Sequence, residues 1–193
     1  MEKTKYLGSL GIDSLKEFAH RIGAEVINNK IINIPKNLGE GYVYFLEIAP
    51  GVSVLLKNYK LSSRLRMKRP KCQDDFCLLY YNLEDLNAGK NLWIITKQIE
   101  DAFEPEVKES IFSFSLFIEK KTLLKLINEL SDSKLLIEKI NNAEGYYSDF
   151  IDNKSLISLL SLQKKALLDP LFDFYIKGIT FKLLANFLEY KAK

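Results

Sequence analysis

The chain has little of what most metal-dependent and catalytic sites are built from. It carries one histidine, His20, and two cysteines, Cys72 and Cys77, in 193 residues. A facial-triad or zinc centre therefore has almost no ligands to draw on. The two cysteines, separated by four residues and without nearby histidine partners, miss the usual zinc patterns, and two thiols make no disulfide framework. Histidine-based acid–base catalysis is equally unsupported, and there is no nucleophile elbow, P-loop or G-x-G-x-x-G run. Gly39-Glu40-Gly41 precedes a strand, so it cannot offer a helix N-terminus to phosphate and reads as a turn. Asp74-Asp75 and Glu84-Asp85 read as solvated loop acids. The net charge of +3 is too small for a surface that coats nucleic acid. No basic stretch followed by an apolar core opens the chain as a signal peptide would, and no apolar run reaches the roughly 18 residues of a membrane span. These absences lead to the expectation of a cytoplasmic protein, not an enzyme, with no cofactor and no metal.

What is present is an ordinary globular composition, 47% hydrophobic and 27% charged, in a length that suits one domain or one domain with an appendage. Ser14-Leu15-Lys16-Glu17 has capping-box spacing, with Leu15, Phe18 and Ile22 on one helical face and Gly23 ending it. From Glu25 the pattern changes to short segments rich in Val, Ile, Tyr and Phe, punctuated by Gly, Pro and Asn. It predicts strands near 25–33, 41–48, 52–59, 61–68, 75–83, 92–98 and 110–117. Ala49-Pro50-Gly51 fits a tight turn that makes a hairpin of its neighbours. Seven such strands point to a closed or sandwiched antiparallel sheet. After Glu119 the period becomes helical, with Leu123, Leu124, Ile127 and Leu130 on one helix and Leu135, Leu136 and Ile140 on a short one. A polar stretch from Asn141 to Asn153 leads to the closing helices. The order is α+β, with a sheet region at 1–118 and a helical region at 119–193.

The closing helices, split by Asp169-Pro170, carry more large apolar residues than one buried face needs. Phe174, Phe181, Ala185 and Leu188 line one stripe, while Phe172, Ile176, Leu183, Phe187 and Tyr190 line another. A surface helix of a monomer normally shows one. Two stripes predict that one packs on the chain's own domain and the other on a second copy, with Leu160, Phe174, Phe181, Leu184 and Leu188 as interface candidates. An internal hairpin with Leu156, Ile157, Leu159, Leu160 and Leu162 is the competing explanation.

Two groups of residues suit a ligand. Lys57–Lys71 holds seven basic residues and no acid, and a strand there puts Arg64, Arg66 and Lys68 on one face, where they would hold an anionic effector inside a barrel or protect an edge strand outside it. Tyr42 and Tyr44 share a face of their strand, and Trp93, the only tryptophan, opens another. Such rings line ligand walls well, but they are also ordinary sheet residues.

The run Ile34-Pro35-Lys36-Asn37-Leu38-Gly39-Glu40-Gly41-Tyr42, continued by Phe45 to Tyr59 through Pro50-Gly51, resembles the N-terminal effector domain of AraC-family transcriptional regulators. Asp169-Pro170 and the helix Tyr175–Tyr190 resemble the segment that leads to that family's DNA-binding part. The resemblance implies a cupin-like antiparallel β-barrel, or jelly roll, that holds a small effector, followed by a C-terminal helical dimerisation subdomain. It implies a homodimer that meets DNA only through a helix-turn-helix region not present in these residues, and no contact with a membrane. Pocket candidates are then Tyr42, Tyr44, Arg64, Arg66 and Trp93. The alternatives are a metal-free cupin enzyme of isomerase type, or a dimerisation module without a ligand.

Overall fold

Alternation in the strands between Gly39 and Glu119 sets the architecture. The segment Ile111-Phe112-Ser113-Phe114-Ser115-Leu116-Phe117-Ile118 is buried at every position. Phe112, Phe114, Leu116 and Ile118 face one way, and Ile111, Ser113, Ser115 and Phe117 the other, so this strand must be covered on both sides. The computed structural model describes residues 4–5, 12–63, 65, 67–69, 75–84, 90–96, 101–103, 110–129, 136–138, 140 and 146–191. Their elements in chain order are β1 (Thr4–Lys5), α1 (Ile12–Ile22), β2 (Val26–Ile27), β3 (Ile31–Asn33), β4 (Gly39–Ala49), β5 (Val52–Leu61) and β6 (Met67–Arg69). They continue with β7 (Phe76–Asn82), β8 (Leu92–Ile95), β9 (Asp101–Phe103), β10 (Ser110–Glu119), α2 (Lys120–Asn128), β11 (Tyr146–Asp149), α3 (Asn153–Gln163) and α4 (Phe172–Lys191).

The protein is α+β. Eight strands form one antiparallel sheet in the order β11-β8-β7-β10-β5-β4-β3-β2, and β1-β6-β9 form a separate three-stranded sheet. The large sheet is open: among the described residues its end strands, β2 and β11, do not pair with each other. The expected closure is therefore corrected. One face carries Tyr44, Leu46, Val54, Leu56, Leu79, Tyr81, Ile94, Phe114 and Leu116, which share a core with α2, α3 and α4. The opposite face carries Val43, Phe45, Leu55, Tyr59, Leu78 and Phe117, packed with Leu15, Phe18 and Ile22 of α1. Cys77 lies wholly within the helix-side core, where burial pushes its thiol up to about 12 against the pull of Lys120. It is a neutral packing group.

Several local readings are revised. Residues 25–33 form a hairpin instead of one strand, because Asn28 and Asn29 both take positive φ (52° and 55°) and reverse the chain. Gly39 and Gly41 lie inside β4 instead of a turn. The polar stretch before α3 holds β11, which pairs with β8. The helix α1 begins at Ile12, so Ser14 sits within it instead of capping it. The Pro50-Gly51 turn joins β4 to β5 as expected, with Gly51 at φ 75°. α3 begins on a side-chain cap from Asp152 to the Ser155 amide. Within the described residues no helix is long and apolar enough to cross a membrane.

Candidate functional site

The α1-side face of the sheet has a polar centre. Cross-strand pairing places Lys57 of β5 opposite Ser113 of β10, and Ser113 opposite Asn82 of β7. The next row runs Leu55, Ser115, Tyr80 and Trp93 across β5, β10, β7 and β8. Tyr59 lies two residues beyond Lys57 on the same face, opposite Ile111. Glu84 extends the parity of Tyr80 and Asn82 past the end of β7, its amide bonded to the Asn82 side chain.

This is an unusual place for such groups. Lys57 is only 6% exposed, although lysine is almost never fully buried without compensation. Its ammonium stands 5.8 Å from the ring centroid of Tyr80, which in turn packs at 5.6 Å against Trp93. The hydroxyls of Tyr59 and Ser113 are buried and have no hydrogen-bond partner among the described residues. Unpartnered buried hydroxyls are rare in native proteins and call for an explanation. Burial pushes the Tyr59 phenol well above its ordinary range, and the neighbouring Tyr80 and Glu84 push it further. Tyr59 is therefore a neutral donor. Small serines in the middle, with long Lys57, Tyr59, Tyr80 and Trp93 around them, put donors and acceptors on one face of the sheet. Within the described residues no group of three or more His, Cys, Asp and Glu side chains could hold a metal ion.

A hydroxyl that already lacks a partner can be removed without loss. Ser113→Ala and Tyr59→Phe are each expected to leave the free energy of unfolding unchanged, or raise it by up to about 1 kcal/mol. Urea denaturation at a fixed slope reads this directly. A loss above that size in both variants would show that the hydroxyls have intramolecular partners.

Of the described pocket candidates read from sequence, only Trp93 lies on this face, together with Tyr59 and Tyr80, which belong to the same set of sheet aromatics. Tyr42 and Tyr44 point to the helix side, where Tyr42 bonds Asn58 and Tyr44 reaches α4. Arg64 and Arg66 lie outside the described residues. Lys57, Tyr59 and Ser113 were legible only as members of a basic run, an aromatic set and a strand. A groove of about 270 Å³ at the Gly39 end of the β4–β5 hairpin is lined by Glu40, Lys60, Leu61 and Ser62. Its two charged side chains are exposed, so it offers no desolvated contact.

A second surface lies on α4. Phe172, Ile176, Leu183, Leu184 and Phe187 are buried in the chain's own core, and Leu160 and Leu188 pack partly against it. Phe174 and Phe181 instead stand 70% and 53% exposed. The exposed residues Leu171, Phe174, Gly178, Phe181 and Ala185, with the half-buried Leu188, recur at alternating steps of three and four, the spacing of a coiled-coil seam. Gly178 has open space where a side chain would stand. A mid-helix glycine costs about 1 kcal/mol relative to alanine, and nothing among the described residues explains it.

No protein-family model, curated protein or solved structure matches this chain. Its class rests on its own architecture: an α+β protein built on an open eight-stranded antiparallel sheet.

Proposed function

We propose that this chain is the regulatory sensor domain of an AraC-type transcription factor, binding a small effector on the α1 side of its sheet and dimerising through α4. The observation that carries the reading is the polar centre, where buried Lys57 adjoins the unpartnered hydroxyls of Tyr59 and Ser113 on one face of the sheet. Mixed hydroxyl, amide and ammonium groups beside two rings suit a small polar molecule. The hairpin that carries Lys57 and Tyr59 is also the segment with the family resemblance. In this reading the architecture is cupin-like, with the three-stranded sheet as a second layer. Its β1 is a neighbour of α1, which packs on the polar face. DNA contact would belong to a helix-turn-helix region beyond α4.

The dimer has a specific register. In an antiparallel pairing of two α4 helices, Phe181 of one copy meets Gly178 of the other, Phe174 meets Ala185, and Leu171 meets Leu188. Each ring then opposes a small residue, twice by symmetry. With about 200 Å² per aromatic side chain, and Phe174 and Phe181 70% and 53% exposed, the two rings offer roughly 250 Å² of apolar surface per copy. The total falls below the lower end of specific interfaces, so a reversible dimer is expected.

Native mass spectrometry against a metabolite panel tests the effector, and sedimentation over a concentration series tests the dimer. Retention of at least one panel molecule, lost in Lys57→Met, and a concentration-dependent dimer are expected. A chain that binds nothing and stays monomeric sinks the reading. The metal-free isomerase is favoured only by Glu84 lying beside Tyr59, an arrangement open to acid–base work. Turnover of the retained molecule would select it.

A further inference from the structure

In the first turn of α4 one carboxylate, that of Asp173, takes two polar contacts from the sheet, beside the apolar packing of Phe172. Lys30, from the β2–β3 turn, donates to Oδ2 of Asp173, and the hydroxyl of Tyr44, from the middle of β4, donates to Oδ1. The ring of Tyr44 also meets Phe172 edge-on, with centroids 5.0 Å apart. Burial opposes the charge on Asp173, but the bonds from Lys30 and Tyr44 and the positive charges of Lys30 and Lys177 outweigh it, holding the carboxyl below its ordinary range. Tyr44 is pushed the other way, by burial first and then by Asp173, so it stays a neutral donor.

The strengths of the contacts differ. Lys30 and Asp173 are each 36% exposed, so their ion pair is screened and weak alone. Tyr44 is buried, and its bond to a charged acceptor is the stronger one. Such an attachment holds a helix end in place and still lets go. Its position is equally specific. Tyr44 pairs with Leu56 of β5, between Leu55 and Lys57, which face the polar centre. Asp173 immediately precedes Phe174, the first ring of the exposed seam within α4. The latch therefore lies one cross-strand pair from the proposed effector site and one residue from the proposed interface.

We infer that Lys30, Tyr44 and Asp173 form a latch that fixes the first turn of α4 on the sheet and sets the Phe174 end of the seam for a second copy. This rests on the dimer reading above and adds to it the element through which the sheet controls that dimer. Coupling of this kind requires only that the latch be made to different extents in the two states.

The test uses the full chain. Hydrogen exchange by mass spectrometry on Asp173→Asn and Tyr44→Phe should show amide exchange across 172–176 faster by roughly tenfold, as expected for losing a bond to a charged group, with β5 and β10 unchanged. Sedimentation of the same variants should show the dimer dissociation constant raised roughly fivefold or more. Tyr44→Phe keeps the ring on Phe172, so it serves if Asp173→Asn fails to fold. Unchanged exchange in the first turn overturns the latch. Faster exchange with an unchanged dimer constant overturns its control of the seam but leaves the dimer itself standing. A wild-type chain that never dimerises sinks both the seam and its control, while the exchange data still report whether the contact holds the helix.

Discussion

Gly41→Ala is expected to lower the free energy of unfolding by about 3 kcal/mol or more, among the largest effects available to a single methyl group in this chain. Gly41 has φ 107°, which side-chain-bearing residues rarely adopt. A Cβ built there would stand 2.2 Å from the Asn58 carbonyl oxygen and 2.5 Å from the Tyr59 Cα. Both obstacles are backbone atoms of the adjacent strand, so no rotamer change relieves them. The strand must move or the pairing must break. Domains are stable by only about 5–15 kcal/mol, so the loss is a large share of the total. It also reaches the proposed site, because Tyr59 is the residue paired with Gly41. Urea unfolding should give a lower midpoint, and whatever folded protein remains should retain less of any effector. A loss below about 1 kcal/mol would show that the close approach of β4 and β5 is not required.

At Gly178 the same kind of substitution should act with the opposite sign on stability. Apart from its own turn of helix, nothing among the described residues lies within 4 Å of a Cβ placed there. Gly178→Ala should therefore stabilise the monomer by up to about 1 kcal/mol through helix propensity. Gly178→Leu should likewise leave the monomer folded, yet it places a side chain where Phe181 of a second copy would sit. Dimer dissociation is expected to rise about 100-fold, and Phe181→Glu should match it by burying a charge. The combination is diagnostic: a variant at least as stable as the parent in dilute solution but unable to associate. Equal sedimentation of Gly178→Leu and the parent across concentrations would remove this seam from the interface.

Periodicity alone decides much of this fold. Most strands, the Pro50-Gly51 turn and the two stripes of α4 followed from alternation and 3.6-residue spacing, and the structure buries Phe172, Ile176, Leu183 and Phe187 while leaving Phe174 and Phe181 out. What failed depended on partners distant in sequence. β11 is short and sits in a polar stretch, so only its pairing with β8 makes it a strand. The face taken by Tyr42 and Tyr44 could not be fixed either, because parity says that they share a side but not which side the helices will cover. Leu184 has the hydrophobicity of an interface residue, yet the chain's own core claims it. The site was hidden in a different way. Ser113 and Ser115 look like interruptions in an apolar strand, and only the register reveals that they stand between Lys57, Asn82 and Tyr80.

The late arrival of β11 has a consequence for how the protein is made. The β8 edge, with Trp93 paired to Ser148 and Asn91 bonded to Asp149 and Ile151, is completed only by residues synthesised after α2. Until then the sheet ends in an unpaired strand, the kind of edge that recruits the wrong chain. The β5–β10 pairing spans a similar separation but is completed earlier in the chain, between strands largely buried on both faces. Closing that edge should thus be among the last steps of folding, and Trp93 stands at the joint where its fluorescence would report it.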